Sequence, residues 1–461
     1  MARLRLRQST AYNLQKVCWG SFTHGRNNAY SPVYSWNVNM NNGNVNNNNR
    51  NNNNYVLAFS EFEGIQPPPT SYFITEDSVR DAYRKCLENK KSTVSAVTFR
   101  VNENENVRCL TREIQNGTYY PTTSIAFLID QREVFAADFR DRVVHTWCAM
   151  RITPLLERQF VPTTWNCRKG KGVQAAIANV RRQIREVSEN YTKDAWVFIY
   201  DLSGFFMGIN REKAATRLCR FVEDRYEGED KATLLWLLRT VITHAPEADC
   251  IRYGTDEEWA KLPERKSLFH HPGLPIGDLL SQLDGNFELD IVDHYINGMC
   301  PSDRYVDDTI RISADKRMLL ETMPSIRMML EATCGAKVNP KKYKVVNVKD
   351  GFKYLGVVIH GDKAYTSGKT VGKVYSLIHK YNGKIKKRYA QDFINSFNSY
   401  MGMMKHYDTL DTRKALFAMI SPKWDEFIVK DESYNKINIK RPRRAEIKRA
   451  LRIQRRYFNN L

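Results

Sequence analysis

Arg304-Tyr305-Val306-Asp307-Asp308-Thr309-Ile310-Arg311-Ile312-Ser313 is the stretch whose reading decides this chain. On either side of Asp307 and Asp308, apolar and polar residues alternate as they do in the two strands of a hairpin. That places the acid pair at or near the turn. An exposed pair of carboxylates suits Mg²⁺, a hard cation that takes oxygen ligands and keeps positions open for water and substrate phosphates. A bare Asp-Asp is ordinarily a solvated turn. This one differs because the rest of a site is found elsewhere in the chain.

One carboxylate pair rarely holds two catalytic metals, so a third acid should come from another strand. Ala195-Trp-Val-Phe-Ile-Tyr-Asp201-Leu202-Ser-Gly-Phe-Phe206 supplies it. Its apolar run, rich in aromatic and branched residues, predicts a buried strand ending at a single acid. An acid there is costly unless paired or metal-bound. Asn210-Arg-Glu-Lys then opens a helix through about Glu223, with Asn210 as its N-cap. Two metals about 3.5–4 Å apart can activate an attacking hydroxyl and stabilise a leaving oxygen. Asp201 with Asp307 and Asp308 is the polymerase arrangement. Asp201-x-x-x-x-Phe206 and Tyr-x-Asp-Asp resemble the two catalytic motifs of reverse transcriptases.

The resemblance continues in order over roughly residues 75–430. Asp130-Gln-Arg132-Glu-Val-Phe-Ala-Ala-Asp138-Phe-Arg140-Asp141-Arg142-Val-Val-His145 is similar to the fingers segment of bacterial reverse transcriptases. Trp165-Asn-Cys-Arg168-Lys169-Gly170-Lys171-Gly172 resembles the glycine- and cation-bearing loop that follows it. Asn339-Pro-Lys-Lys342 and Phe352-Lys-Tyr-Leu-Gly356 resemble the two late palm motifs, and Ser399-Tyr-Met-Gly402 a thumb helix. The implied fold is α+β: a right-hand polymerase with fingers, an RRM-like palm and a helical thumb, behind a low-complexity N-terminal extension.

Gly273-Leu-Pro-Ile276-Gly277-Asp-Leu-Leu-Ser281-Gln282 narrows the family. Most reverse transcriptases carry Gln-Gly followed by Ser-Pro here; Ile276 stands for the Gln and Gln282 for the Pro. With Lys266-Ser-Leu-Phe269 before it, this variant resembles the enzymes of diversity-generating retroelements. Those enzymes copy a template-repeat RNA with misincorporation at adenines, and the altered cDNA replaces a variable repeat in a target gene. The usual Gln lies near the incoming nucleotide and can hydrogen-bond it. A branched apolar Ile cannot, so a geometric check on the nascent pair is relaxed. Each 1.36 kcal/mol lost from that check is about a tenfold gain in mispair acceptance. This accounts for lower fidelity in general and leaves the choice of adenine unexplained.

Trp36-Asn-Val-Asn-Met-Asn-Asn-Gly-Asn-Val-Asn-Asn-Asn-Asn-Arg-Asn-Asn-Asn-Asn54-Tyr55 is nearly all asparagine. As protein, the composition predicts disorder or solvated loop, with little apolar surface to offset ordering entropy. As encoded nucleic acid it says more. Asparagine codons are two adenines and a pyrimidine, whereas every stop codon ends in a purine, so randomising those adenines never creates a stop. The string also resembles the diversified segment of the lectin-like targets of these retroelements. Residues 1–62 therefore read as a translated template repeat, an ordinary Asn-rich linker being the alternative, and carry no catalytic assignment.

The 461-residue chain holds 71 Lys and Arg against 51 Asp and Glu, a net charge of +20. On a folded enzyme such an excess points to a polyanion partner, here template RNA and its cDNA duplex, with binding that weakens steeply with salt. Nine cysteines stand singly with no Cys-x-x-Cys or Cys/His spacing, which argues against a zinc module and for a reducing compartment. There is no membrane-length apolar run, and Met1-Ala-Arg-Leu-Arg-Leu-Arg lacks the apolar core of a signal peptide. The expected location is the cytoplasm of a bacterium, for a bacterial or phage-encoded enzyme.

The fingers are expected at about 75–194, with a strand over Tyr119–Ile129 and a polar insert at about 228–271 returning to them. The palm takes 195–227 and 272–365, with a helix from about Gly277 to Asn297, another across Lys316–Cys334, and strands near Lys344–Val348 and Tyr354–Ile359. Residues 366–461 are a helical thumb and a basic tail, in which Glu446 is the one acid between Lys436 and Arg456.

What the resemblance implies about roles is as follows. Asp201, Asp307 and Asp308 hold two Mg²⁺ ions, for which Mn²⁺ can substitute, and Leu202 joins the metal and nucleotide sets. Phe206 occupies the steric-gate position, where a ring clashes with a ribonucleotide 2′-hydroxyl; a core aromatic is the plainer reading. Arg132 pairs with the triphosphate of the incoming dNTP, since a guanidinium fork matches phosphate oxygens. Ile276 and Gln282 lie by the nucleotide. Lys342 protonates pyrophosphate or offsets its charge. Arg168, Lys169 and Lys171 grip nucleic-acid backbone, as do Arg443, Arg444, Lys448 and Arg452 in the tail. Asp138, Arg140, Asp141 and Arg142 interleave acid and base, so an ion-pair network suits them as well as any substrate contact. A small basic accessory variability protein is the family's usual partner. A retron or phage-defence enzyme would share the chemistry without diversification. A non-catalytic RNA-binding protein on the same fold is opposed by the three intact acids.

Overall fold

The computed structural model describes residues 72–90, 93–271, 273–440 and Arg452, with two strands nearer the start. It divides into Met1–Pro69 and Thr70–Leu461. In the first unit, β1 (Tyr34–Val38) and β2 (Val45–Asn49) pair antiparallel, Tyr34 opposite Asn49 and Val38 opposite Val45. The expectation of loop is thereby corrected for these two strands. Tyr34, Trp36 and Val38 recur at the strand period of two, a signal the surrounding asparagines obscure. The rest of residues 1–62 lies outside the described residues.

The second unit opens with helices α1 (Glu76–Lys90), α2 (Val94–Val101) and α3 (Glu103–Gln115). The strand expected over Tyr119–Ile129 begins only at Ser124, because Pro121 has no amide to pair and Thr122 gives its amide to Asp141. Then β3 (Ser124–Ile129) and β4 (Arg132–Ala136) form a hairpin through Asp130 and Gln131, both at positive φ (47° and 58°), as a tight two-residue turn requires. Helix α4 (Phe139–Gln159) is capped by the Asp138 side chain and packs Phe139, Val143, Trp147 and Ile152 into the core. Buried Asp141 accepts from Tyr119 and Thr122 and pairs with Arg140, which also pairs with Glu113, while Asp138 caps the helix and Arg142 donates to the Ala137 carbonyl, so all four residues of the interleaved run have structural partners. Helix α5 (Val173–Val187) follows.

Strand β5 (Trp196–Ser203) is an inner strand of a four-stranded sheet. Phe198, Tyr200 and Leu202 enter one core and Val197 the opposite one, so both faces are covered and the run up to Tyr200 carries no charge. After the short α6 (Phe205–Gly208), α7 (Arg211–Arg225) is capped by Asn210, and α8 (Lys231–Thr243) packs beside it. The following segment sends β6 (Cys250–Arg252) back to lie parallel to β3, Ser124 opposite Cys250. Glu133 fixes that return by accepting the Leu268 amide at 2.7 Å. Beyond α9 (Asp256–Ala260), α10 (Leu279–Asn297) is buried along most of its length, with Ile291, His294 and Tyr295 exposed near its end.

Strands β7 (Ser302–Tyr305) and β8 (Asp308–Ser313) form the acid-bearing hairpin. The single helix expected over Lys316–Cys334 is two, α11 (Lys316–Glu321) and α12 (Met323–Cys334), broken at Thr322, with Pro324 at the start of the second, where a missing amide is harmless. Strand β9 (Lys337–Asn347) starts earlier than expected, which brings Asn339 and Lys342 into the sheet. The order is β7-β8-β5-β9, all antiparallel, with an irregularity between Tyr200 and Leu202. Helices α4, α7, α10 and α12 cover one face; α5 and the next three strands cover the other.

The expected strand Tyr354–Ile359 is a turn flanked by two strands. β10 (Phe352–Tyr354) reverses at Leu355 and Gly356, both at positive φ, into β11 (Val357–His360), then β12 (Lys363–Thr366). Helices α13 (Gly368–Asn382), α14 (Ala390–Met404) and α15 (Leu410–Ala418) and the hairpin β13 (Ile428–Lys430)–β14 (Ile437–Ile439) enclose a core of their own around Phe393, Phe397 and Trp424. Among the described residues no helix is long and apolar enough to cross a membrane.

Candidate active site

The β7–β8 hairpin pairs Tyr305 with Asp308, leaving Val306 and Asp307 as the turn. Val306 sits at φ 58°, a conformation unusual for a β-branched residue. Beside the hairpin, Tyr200 of β5 pairs with Thr309 of β8, so Asp201 and Asp308 occupy the next rung. The three carboxylates feel one another. Burial, then the Asp201 charge, raises the Asp307 carboxyl above its ordinary range. Asp308 is pushed up to about 6 by burial first and then by Asp307 and Asp201. Arg132 and Lys342 offset both.

Asp201, 7% exposed, is held by two side chains from β9. Lys342 Nζ lies 3.1 Å from its Oδ2, and Asn339 Nδ2 donates to the same oxygen at 3.0 Å. Among the described residues no group of three His, Cys, Asp or Glu side chains closes into a ready metal site. The donor chemistry still fits a divalent cation: oxygens only, on neighbouring strands, carrying more negative charge than their surroundings neutralise. Lys342, 63% exposed, is the solvent-facing partner of the set.

Behind the turn lies a polar scaffold that sequence reading missed. Arg304 is buried and binds Asp293 of α10 through Nε at 2.8 Å and Nη2 at 2.6 Å. Its Nη1 donates to Asn286 Oδ1 at 3.1 Å and to the Val306 carbonyl at 2.9 Å. Asn166, from the loop after α4, accepts the Val306 amide at 3.0 Å. The one hint in the sequence was a cation directly before Tyr305; its partners are too distant in the chain to be read from spacing.

The other predicted residues fall into distinct places. Arg132 opens β4 with its side chain exposed and its charge felt by Asp307 and Asp308. Phe206 packs partly buried over Gly285 of α10, where a Cβ would come within 3.1 Å of its ring. Leu202 pairs with Val338, and its side chain is 3% exposed in the core, which leaves only its main chain for a metal or nucleotide. The Ile276 carbonyl accepts from Phe135 of β4 at 2.8 Å. Gln282 accepts from the Cys167 thiol at 3.2 Å.

Of the loop cations, Arg168 requires correction. Its side chain is 6% exposed and donates to Glu157, to the Val161 carbonyl at 2.7 Å and to the Thr164 carbonyl at 3.1 Å, so it braces the loop from within and does not reach toward a nucleic-acid backbone. Lys171 turns back over the Trp165 ring at 4.3 Å and onto the Pro162 carbonyl. Lys169 is exposed. Arg443, Arg444 and Lys448 lie outside the described residues, and Arg452 is exposed.

Residues 130–359, which contain all three acids, match the sequence model of the family described as "Reverse transcriptase (RNA-dependent DNA polymerase)". The span is a reverse transcriptase domain. Protein YkfC of Escherichia coli (strain K12) is 23% identical over 290 residues, covering 54% of this chain and 70% of that protein. Among solved structures, telomerase from Candida albicans in complex with a TWJ fragment of telomeric RNA aligns with TM-score 0.39 and 12% identity, over 65% of this chain and 55% of that one. Apo telomerase from Candida Tropicalis aligns with TM-score 0.38 and 13% identity, over 61% and 50%. The chain spans about half the length of these telomerase chains.

Proposed function

We propose that this chain copies an RNA template into DNA with two Mg²⁺ ions bound by Asp201, Asp307 and Asp308, and that its template is the repeat RNA of a diversity-generating retroelement. The observation carrying the polymerase chemistry is the meeting of these carboxylates on β5 and the β7–β8 turn, with Arg132 and Lys342 beside them. Bound there, the ions would lower the pKa of the primer 3′-hydroxyl and neutralise triphosphate charge. Arg132 holds the triphosphate. Lys342, already against Asp201, supplies a proton or a positive charge where pyrophosphate leaves. Phe206 is the gate against ribonucleotides. Lys169 meets the nucleic-acid backbone. In this reading β3, β4, β6 and their helices are the fingers, the β7-β8-β5-β9 sheet the palm, and α13–α15 the thumb.

The diversification role is supported by the Ile276/Gln282 variant and by the asparagine tract, both features of the sequence. The family would add an accessory variability protein as partner. Primer extension on an RNA template with Mg²⁺, compared with Asp307→Asn, tests the chemistry: extension by both proteins alike would reject the metal assignment. For the role, Ile276→Gln should lower misincorporation at template adenines, and an unchanged error spectrum would reject the part given to Ile276. A nearby gene carrying a near-copy of the asparagine-coding segment, altered only at adenines, is the expected genomic signature. Without such a copy, the chain would group with retron or phage-defence enzymes.

A further inference from the structure

We propose that Asn166 is a positioning residue for catalysis, holding the Val306 peptide in the one conformation that sets Asp307 beside Asp201 and Asp308. The proposal rests on the polymerase reading above and adds a residue from outside the acid-bearing strands. Val306 is β-branched yet sits at φ 58°, which such a residue leaves readily unless its surroundings over-determine it. Both polar atoms of its backbone are gripped by side chains: the amide by Asn166 Oδ1 at 3.0 Å from outside the hairpin, the carbonyl by Arg304 Nη1 of β7 at 2.9 Å. If the peptide relaxed toward the extended region, the next residue, Asp307, would turn with it.

Asn166 is itself fixed. It is 4% exposed, and its own carbonyl accepts from Asn286 Nδ2 at 3.1 Å. Its neighbours lie against β7 in a strand-like contact, with Trp165 N donating to Arg304 O at 3.0 Å and Arg304 N to Thr163 O at 3.0 Å. Trp165 also donates from its indole to Asp303. The loop thus acts as a rigid finger pressed along the open edge of the sheet, with the Asn166 amide group at its tip. Arg304 and Asn166 then hold the two successive peptides that flank the Val306 Cα, which together fix its φ and ψ. Asn166 has no hydrogen bond to any of the three acids, and its side-chain oxygen reaches them by way of the Val306 amide.

That dependence makes the idea testable by single-turnover primer extension in wild type, N166A, V306G and the double variant, with thermal melts alongside. N166A should lower the extension rate about tenfold, the size of one buried hydrogen bond, with little change in the KM for dNTP. In the V306G background the same substitution should cost less than about twofold, since glycine adopts positive φ freely. An equal loss in both backgrounds, or N166A extending within about twofold of wild type, would overturn the proposal. If N166A does not fold, N166L, which keeps the bulk and lacks the acceptor, replaces it with the same expectations. D307N separates the two levels. Wild type and D307N both inactive would sink the polymerase reading; wild type active, D307N dead and N166A unaffected would sink the positioning role alone.

Discussion

Phe206 is set in place by packing, which is what the gate role proposed for it would require. It rests on Gly285 and hands its carbonyl to the Leu274 amide at 2.8 Å, so its place is set by the segment bearing Ile276. Phe206→Ala should raise ribonucleotide incorporation relative to deoxynucleotide by roughly ten- to hundredfold, measured by competing rNTP and dNTP in single-nucleotide extension. The acids and this ring could be singled out in the sequence because each belongs to a short string whose spacing points to a chemistry. Arg168 was not. A sequence shows that a guanidinium is present but not that Glu157 and two carbonyls lie within its reach. Asn166 was equally hidden, since the amide it accepts lies 140 positions away.

Helix α10 and the glycine segment before it carry the arguments of the next scale. The helix buries Asp284, Glu288, Asp290 and Asp293. Asp293 is answered by Arg304 and Glu288 by Arg217, whereas neither Asp284 oxygen has a hydrogen-bond partner among the described residues. Burial pushes the Asp284 carboxyl up to about 7, with Arg217 pulling weakly the other way. A folded pKa above the unfolded value means the folded state holds the proton more tightly. Its contribution is complete below about pH 4 and disappears as pH climbs through about 7. Urea midpoints should therefore show wild type losing roughly 2–4 kcal/mol against Asp284→Asn over that window. Gly277, at φ 113°, would place a Cβ 2.5 Å from the Phe135 carbonyl. Gly277→Ala should destabilise by about 1–3 kcal/mol, read from the same denaturation curves. Most helices and strands were readable from periodicity and caps. The Leu355-Gly356 reversal was not, because apolar residues on both sides concealed it, and the break at Thr322 was not, because Pro324 opens the second helix so soon after the first that the two follow one another almost without interruption.

For the whole molecule, a net charge of +20 dominates long-range behaviour. Affinity for an RNA–DNA duplex should fall at least about a thousandfold between 50 and 200 mM salt if six or more phosphates are contacted. Lys169→Ala should reduce the slope of log affinity against log salt by about one, as fluorescence anisotropy across a salt series would show. Arg168→Ala should act through stability instead, because its charge is already answered inside the loop. The sequence disclosed how much charge there is; which cations face outward depended on folding.

The pairing of β5 also says something about birth. This central strand leaves the ribosome well before either neighbour, since Tyr200 must wait for Thr309 on one side and Tyr343 on the other. At about 5–20 residues per second, a gap on the order of a hundred residues is many seconds of exposure for an apolar edge. Nascent chains halted before β9 would hold Asp201 on an open strand, prone to self-association and in need of chaperones. Enzymatic competence therefore arrives late in translation and all at once.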